Sequence, residues 1–117
     1  MKGYYQELLA WQKSMQLVFE VYRIVKYLPK EEMYALSTQM RRAAVSIPSN
    51  IAEGQQRKSL REFINFLSIA KGSNAELQTQ LLICEGLQYL SHEQITQSML
   101  LSKEVEKMLT ALIHRLG

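Results

Sequence analysis

One cysteine, two prolines and five glycines are spread over 117 residues, and each scarcity argues against a class of protein. A lone Cys84 cannot form an internal disulfide, which fits a reducing compartment and so a cytoplasmic location. So little proline beside 47% apolar residues is neither collagen-like nor disordered. Long apolar runs are missing as well. Lys13, Glu20, Arg23 and Lys26 interrupt every candidate for a secretory leader or membrane span in the first helix-like stretch, so neither is expected. The chain has no glycine-rich phosphate loop. Its two histidines, His92 and His114, have no partner at His-x-x-His or Glu-x-x-His spacing, so zinc and di-iron sites lack ligands. Cys84 falls among apolar neighbours, the setting of a buried thiol rather than a nucleophile. No catalytic residue, metal or cofactor is expected, and enzymatic activity has no support.

What is present is helical periodicity along almost the whole chain, with no sustained alternation of the kind that strands require. A first helix is expected over about residues 5–28. Leu8, Trp11, Met15, Val18, Tyr22 and Val25 alternate steps of three and four as a packing seam, which Phe19 widens. Pro29 ends it. A second helix should begin near Glu31 and Glu32, whose charge suits a helix N-terminus. Leu36, Met40, Ala43, Ala44, Ile47 and Ile51 form its buried face, and Gly54 is a candidate C-terminal cap. Pro48 should kink this helix or restart it behind Ser46. Ser59 with Glu62 is a capping-box pattern opening a third helix to about Tyr89; Leu60, Phe63, Leu67, Ala70, Leu77, Leu81 and Cys84 line its seam. Gly72 and Gly86 inside it suggest close helix packing, and Asn74 is read either as a buried polar seam residue or as turned to solvent. Ser91 with Gln94 opens a fourth helix carrying Ile95, Met99, Val105, Leu109, Leu112 and Leu116. Four helices with short loops imply one all-α domain over residues 1–117, an elongated antiparallel up-down-up-down bundle.

Charge is unevenly placed. The chain carries 14 Lys and Arg against 11 acids for a formal +3, with the excess in the first half. Arg41 and Arg42 are adjacent in the second helix; Arg57, Lys58 and Arg61 cluster around the following loop. Arginine forks match phosphate oxygens, and neighbouring Ser46, Ser49 and Asn50 could add neutral phosphate contacts, so these residues are candidate nucleic-acid ligands. The plainer reading is a solvated, ion-paired surface, since Glu53 precedes Arg57 by one turn and Glu62 follows Arg61. Aromatic interleaving is weak: Tyr4, Tyr5, Tyr27, Tyr34 and Tyr89 sit mostly near helix ends.

The run QMRRAAVSIPSNIAEG over residues 39–54 closely resembles the signature of a bacterial family. Its members are the four-helix-bundle proteins encoded in intervening sequences of 23S ribosomal RNA genes, also labelled S23 ribosomal proteins. Leu8, Trp11, Leu28, Pro29, Ser59, Glu62, Phe63, Phe66, Leu67, Ile69, Ala70, Gly72, Ser73, Glu76 and Leu77 extend the likeness over nearly the whole chain. One departure is Ala35, where members often carry glycine. The resemblance implies a left-handed bundle and, in several members, a homopentameric ring. It also implies kinship with the accessory variability proteins of diversity-generating retroelements, basic pentamers that bind nucleic acid and a reverse transcriptase. The expected protein is therefore a homo-oligomeric, non-enzymatic binder of structured RNA or DNA through Arg41, Arg42, Arg57, Lys58 and Arg61. The alternative is an interaction scaffold docking an acidic partner such as a reverse transcriptase.

Overall fold

The computed structural model describes residues 4–117; Lys2, one of the cations behind the basic first half, lies outside them. The described residues form four long helices and no strand. They are α1 (Leu9–Ile24), α2 (Leu36–Gln55), α3 (Leu60–Gly86) and α4 (His92–Leu116), with 3-10 turns at Tyr5–Glu7, Val25–Tyr27 and Lys30–Glu32. Neighbouring helices run antiparallel. Tyr22 meets Arg41 while Trp11 lies beside Ala52, Ser46 meets Ser73, Glu85 pairs with His92, and Lys13 reaches Glu104. Each helix touches two others in the cyclic order α1, α2, α3, α4, giving the expected elongated bundle of 45 × 24 × 19 Å.

Local chemistry sets most helix ends. Ser59 Oγ accepts the Glu62 amide at 3.1 Å to start α3. Ser91 and Gln94 close a full reciprocal capping box at the start of α4, satisfying amides that would otherwise lack acceptors. α3 stops at Gly86 rather than near Tyr89. Gln88 adopts a left-handed φ of 63° while the Tyr89 and Leu90 amides both fold back onto the Cys84 carbonyl, a C-terminal stop of the Schellman type.

Several expectations are corrected. The first helix is shorter than residues 5–28, because Leu8 is extended (φ −76°, ψ 127°) and the last turn tightens to 3-10. Its core face is Ala10, Ser14, Leu17, Val18, Val21 and Ile24. Val18 and, just past the helix, Val25 are buried as anticipated, while the rest of the expected seam lies towards the edge of that face. Trp11 and Met15 are half-buried, and Tyr22 and Phe19 stay 44% and 65% exposed. The second helix starts at Leu36, not at Glu31. Glu32 still serves its start from a separate turn, its carboxylate accepting the Leu36 amide (3.3 Å) and the Tyr89 hydroxyl (3.0 Å). Ala35, in the position where glycine is frequent, sits at φ −124°, ψ −101° between turn and helix. Pro48 is buried inside an unbroken α2, so it does not restart the helix. Leu60, expected in the α3 seam, is exposed.

The glycines exchange roles. Gly54 is no C-cap: it is buried within α2, and a Cβ built on it would fall 2.5 Å from Phe66 Cβ. Gly72 is exposed with nothing within 4 Å of such a Cβ, so close packing is not its reason. The close approach of α2 and α3 instead rests on Gly54, which lies against Phe66 and Phe63.

The core holds Leu17, Ile24, Met40, Ile47, Ile51 and Leu77 at essentially zero exposure. Inside it Asn74 is buried, which decides between its two readings. Asn74 Nδ2 donates to the Ser102 carbonyl at 2.9 Å and Ser102 Oγ donates to Asn74 Oδ1 at 2.7 Å. A paired polar contact of this kind adds about 1 kcal/mol net, but orphaning one partner costs about 1–3 kcal/mol.

Two substitution sets check this packing by chemical and thermal unfolding. Gly54→Ala should destabilise by about 1–3 kcal/mol despite alanine's better helix propensity, whereas Gly72→Ala should stabilise by up to about 1 kcal/mol. In a double-mutant cycle, Asn74→Ala and Ser102→Ala should each destabilise, with the double variant losing less than the sum by at least about 0.5 kcal/mol.

Candidate nucleic-acid interface

The basic residues divide into two groups along α2. Arg41 and Arg57 are sixteen positions apart, about 24 Å at helical rise, so the five candidates do not make one patch.

At the loop end, Arg57 is engaged internally. Its guanidinium bonds Glu53 at 2.8 Å and lies 4.8 Å from the Phe66 ring centroid, a cation–π contact that packs the loop onto α3. Lys58 and Arg61 are exposed beside it. Glu62 does not pair with Arg61; its carboxylate accepts the Ser59 hydroxyl.

At the other end, Arg41 and Arg42 emerge about 100° apart around α2. Arg41 leans across to α1, its guanidinium carbon 5.9 Å from the Tyr22 centroid and its Nη2 donating to Thr38 Oγ1 at 3.3 Å. Arg42 projects to solvent. Antiparallel packing then adds two cations that motif reading passed over. Lys26, one turn beyond Tyr22, and Lys30, just past Pro29, join Arg41 around an open recess of about 520 Å³ floored by Val25, Leu28 and Met33. A second recess of about 340 Å³, with Arg41 and Arg42 on its rim, shares Tyr22 with the first. No carboxylate lines either recess. Among the described residues none of Lys26, Lys30, Arg41 and Arg42 is within ion-pair distance of an acid. Beyond Val45 the groove between α1 and α2 continues past Met15, Trp11 and Pro48.

The proposed neutral phosphate ligands are spent on packing. Ser46 Oγ shares a hydrogen bond with Ser73 Oγ at 2.9 Å, and Asn50 Nδ2 donates to the Ser46 carbonyl and hydroxyl. Only Ser49 is left exposed. Sequence reasoning missed Tyr22 and Phe19 as surface residues because a step of three and four fits core and groove equally. The lysines were visible in the charge excess, but their convergence needed the α1–α2 hairpin.

Residues 6–111 match the family described as 23S rRNA-intervening sequence protein. The chain belongs to that family. The match runs from the turn before α1 into the last turns of α4, so it takes in both basic groups. A solved structure of a protein of unknown function from the S23 ribosomal protein family of Bacteroides thetaiotaomicron is similar throughout. It shares 28% identity at a TM-score of 0.83, covering 90% of this chain and 98% of the other. No curated protein matches the sequence. This 23S rRNA-intervening sequence protein therefore has a shared fold, and its chemistry has to be read from its own surface.

Among the described residues no group of three or more His, Cys, Asp or Glu is placed to hold a metal, and no helix is long and apolar enough to cross a membrane. His92 pairs with Glu85 at 3.0 Å on the surface. Cys84 is fully buried against Met40, sulfur to sulfur 3.5 Å. Burial, aided by the Glu32 charge, pushes its thiol pKa up to about 11. The thiolate needed for attack is thus suppressed at neutral pH. In the native protein at pH 8 Cys84 should resist a chromogenic disulfide reagent, then react fully once urea unfolds the bundle. Because its folded pKa is raised, this thiol's contribution to stability holds below its unfolded pKa and fades as pH climbs through about 11.

Proposed function

We propose that this chain is a non-enzymatic protein that binds nucleic acid, structured RNA or DNA, by phosphate contacts at the α1–α2 end of the bundle. The observation that carries the reading is the convergence of Lys26, Lys30, Arg41 and Arg42 around recesses with no acid in them. A basic surface that is merely solvated is normally interleaved with carboxylates, as Glu53 is with Arg57 and Glu20 with Arg23. Four cations left without acidic partners hold a local positive potential, and phosphate oxygens satisfy it while releasing counterions. Arg41 and Arg42 supply bidentate forks, with the lysines as flexible point charges. Lys58 and Arg61 form a second, weaker contact about 24 Å away, and Arg57 positions that loop.

The active species in this proposal is a homo-oligomer, a ring of five by analogy with the family. Five copies of a formal +3 carry +15 and repeat the basic groove around one assembly, so modest contacts add through multivalency. A second reading takes the same surface as a dock for an acidic protein partner such as a reverse transcriptase. The exposed apolar side chains Phe19, Tyr22 and Val45 favour it, as rings and aliphatics are common at protein interfaces.

Filter binding of a labelled hairpin RNA over a salt series tests the proposal. Affinity should fall linearly on a log–log plot. Arg41→Ala with Arg42→Ala should weaken binding by about tenfold or more and flatten the slope by about 1–2. Binding indifferent to salt, or to that double substitution, overturns it. Light scattering of the same preparation reads the assembly, a monomer mass counting against the ring.

A further inference from the structure

Exposed rings stand beside the cations, Tyr22 lining the groove and Phe19 outside its lining on α1, and phosphate contact alone gives them no task. Phe19 and Tyr22 stand three positions apart on α1, 65% and 44% exposed, so their rings are neighbours on one helix face. Lys26 follows Tyr22 by one turn on the same side. Arg41 braces Tyr22 from α2 at 5.9 Å, fixing the ring while much of it stays open to solvent. With 65% of its surface exposed, little of Phe19 serves the core. Resting on the proposed nucleic-acid reading, we infer that the Phe19–Tyr22 ridge is a stacking platform for unpaired bases. Its ligand is a single strand, or the loop of a folded RNA, whose phosphates lie on Lys26, Lys30, Arg41 and Arg42.

The physical case is one of matching geometry. Bases in a duplex are stacked on each other and turn only edges and phosphates outward, so a side-chain ring cannot reach their faces. Unpaired bases offer those faces, and a row of aromatics beside a positive groove binds them with little regard to sequence. A second copy of the chain is a weaker occupant of the same ridge. Four unpaired cations would have to be buried against it, and the charges around the α3–α4 groove are mixed, with Glu85 and Glu106 set among Lys71, Lys103 and His92.

Fluorescence anisotropy with the full chain distinguishes these cases, using a labelled 20-nucleotide oligo(U), oligo(dT) and a duplex of equal length. Single strands should bind at least about tenfold tighter than the duplex. Phe19→Ala and Tyr22→Ala should each weaken single-strand binding by about tenfold with an unchanged salt slope, and Tyr22→Phe should restore it. Both side chains are exposed, so circular dichroism should show each variant folded as the parent. Equal affinity for duplex and single strand overturns the inference. So does loss of binding in the Arg41, Arg42 variant alone, which leaves the phosphate reading standing. If Phe19→Ala and Tyr22→Ala lower the assembly mass by light scattering and leave oligonucleotide affinity intact, the ridge is a protein interface and the inference fails. Absence of binding to any of the three probes overturns both readings.

Discussion

The approach of α2 to α3 constrains everything else in this bundle. At Gly54 the two helices are so near that a single added carbon collides with Phe66. α2 also buries Ala43, Ala44, Pro48 and Ile51 in the core. Such packing loses stability for any change in volume. It also fixes the rotation of α2 about its axis. With the inner face set, Arg41 must point along the α1 side and Arg42 outward, and Ser46 must meet Ser73.

A second consequence is that α1 is held differently from the rest. Its inner positions are Ala10, Ser14, Leu17, Val18, Val21 and Ile24, small at the N-terminal end and larger towards the loop. Trp11, Met15 and Tyr22 then fall along the seam with α2, partly covered at one end and open at the other. The gradient makes the groove, and the 3-10 turns beyond Ile24 bring Lys26 and Lys30 to its mouth. Surface chemistry here is produced by how the core is filled.

Much of this was legible in the sequence. The faces of α2 and α4, the two Ser caps and the buried thiol all follow from spacing and residue type, because caps and stripes are local and few arrangements satisfy them. The α1 face was read only in part. Val18 and Val25 are buried as their spacing suggests, but Met15 and Tyr22 fit the heptad as well as Leu17 and Val21 do, and only the placement of the partner helices decides between them. Gly54 looked like a cap because glycine after a helical run usually is one, whereas close approach is a property of two segments. The same limit applies to the candidate site. Arg41 and Arg42 stand out as a pair, but Tyr22 and Lys30 become their neighbours only when the chain doubles back through Pro29. For Arg57 the ion-paired reading from Glu53 one turn earlier holds, while the Phe66 ring beside it became visible only in the fold.

The Asn74–Ser102 contact gives the far side of the molecule a mechanical property. Sliding α4 along α3 by one turn would bring Val105 opposite Asn74 in one direction and leave an amide and a hydroxyl unpaired in the core, whereas the other direction brings Ser98, a second buried hydroxyl, to the same place. Resistance to translation along the bundle axis is therefore unequal, steep one way and softer the other.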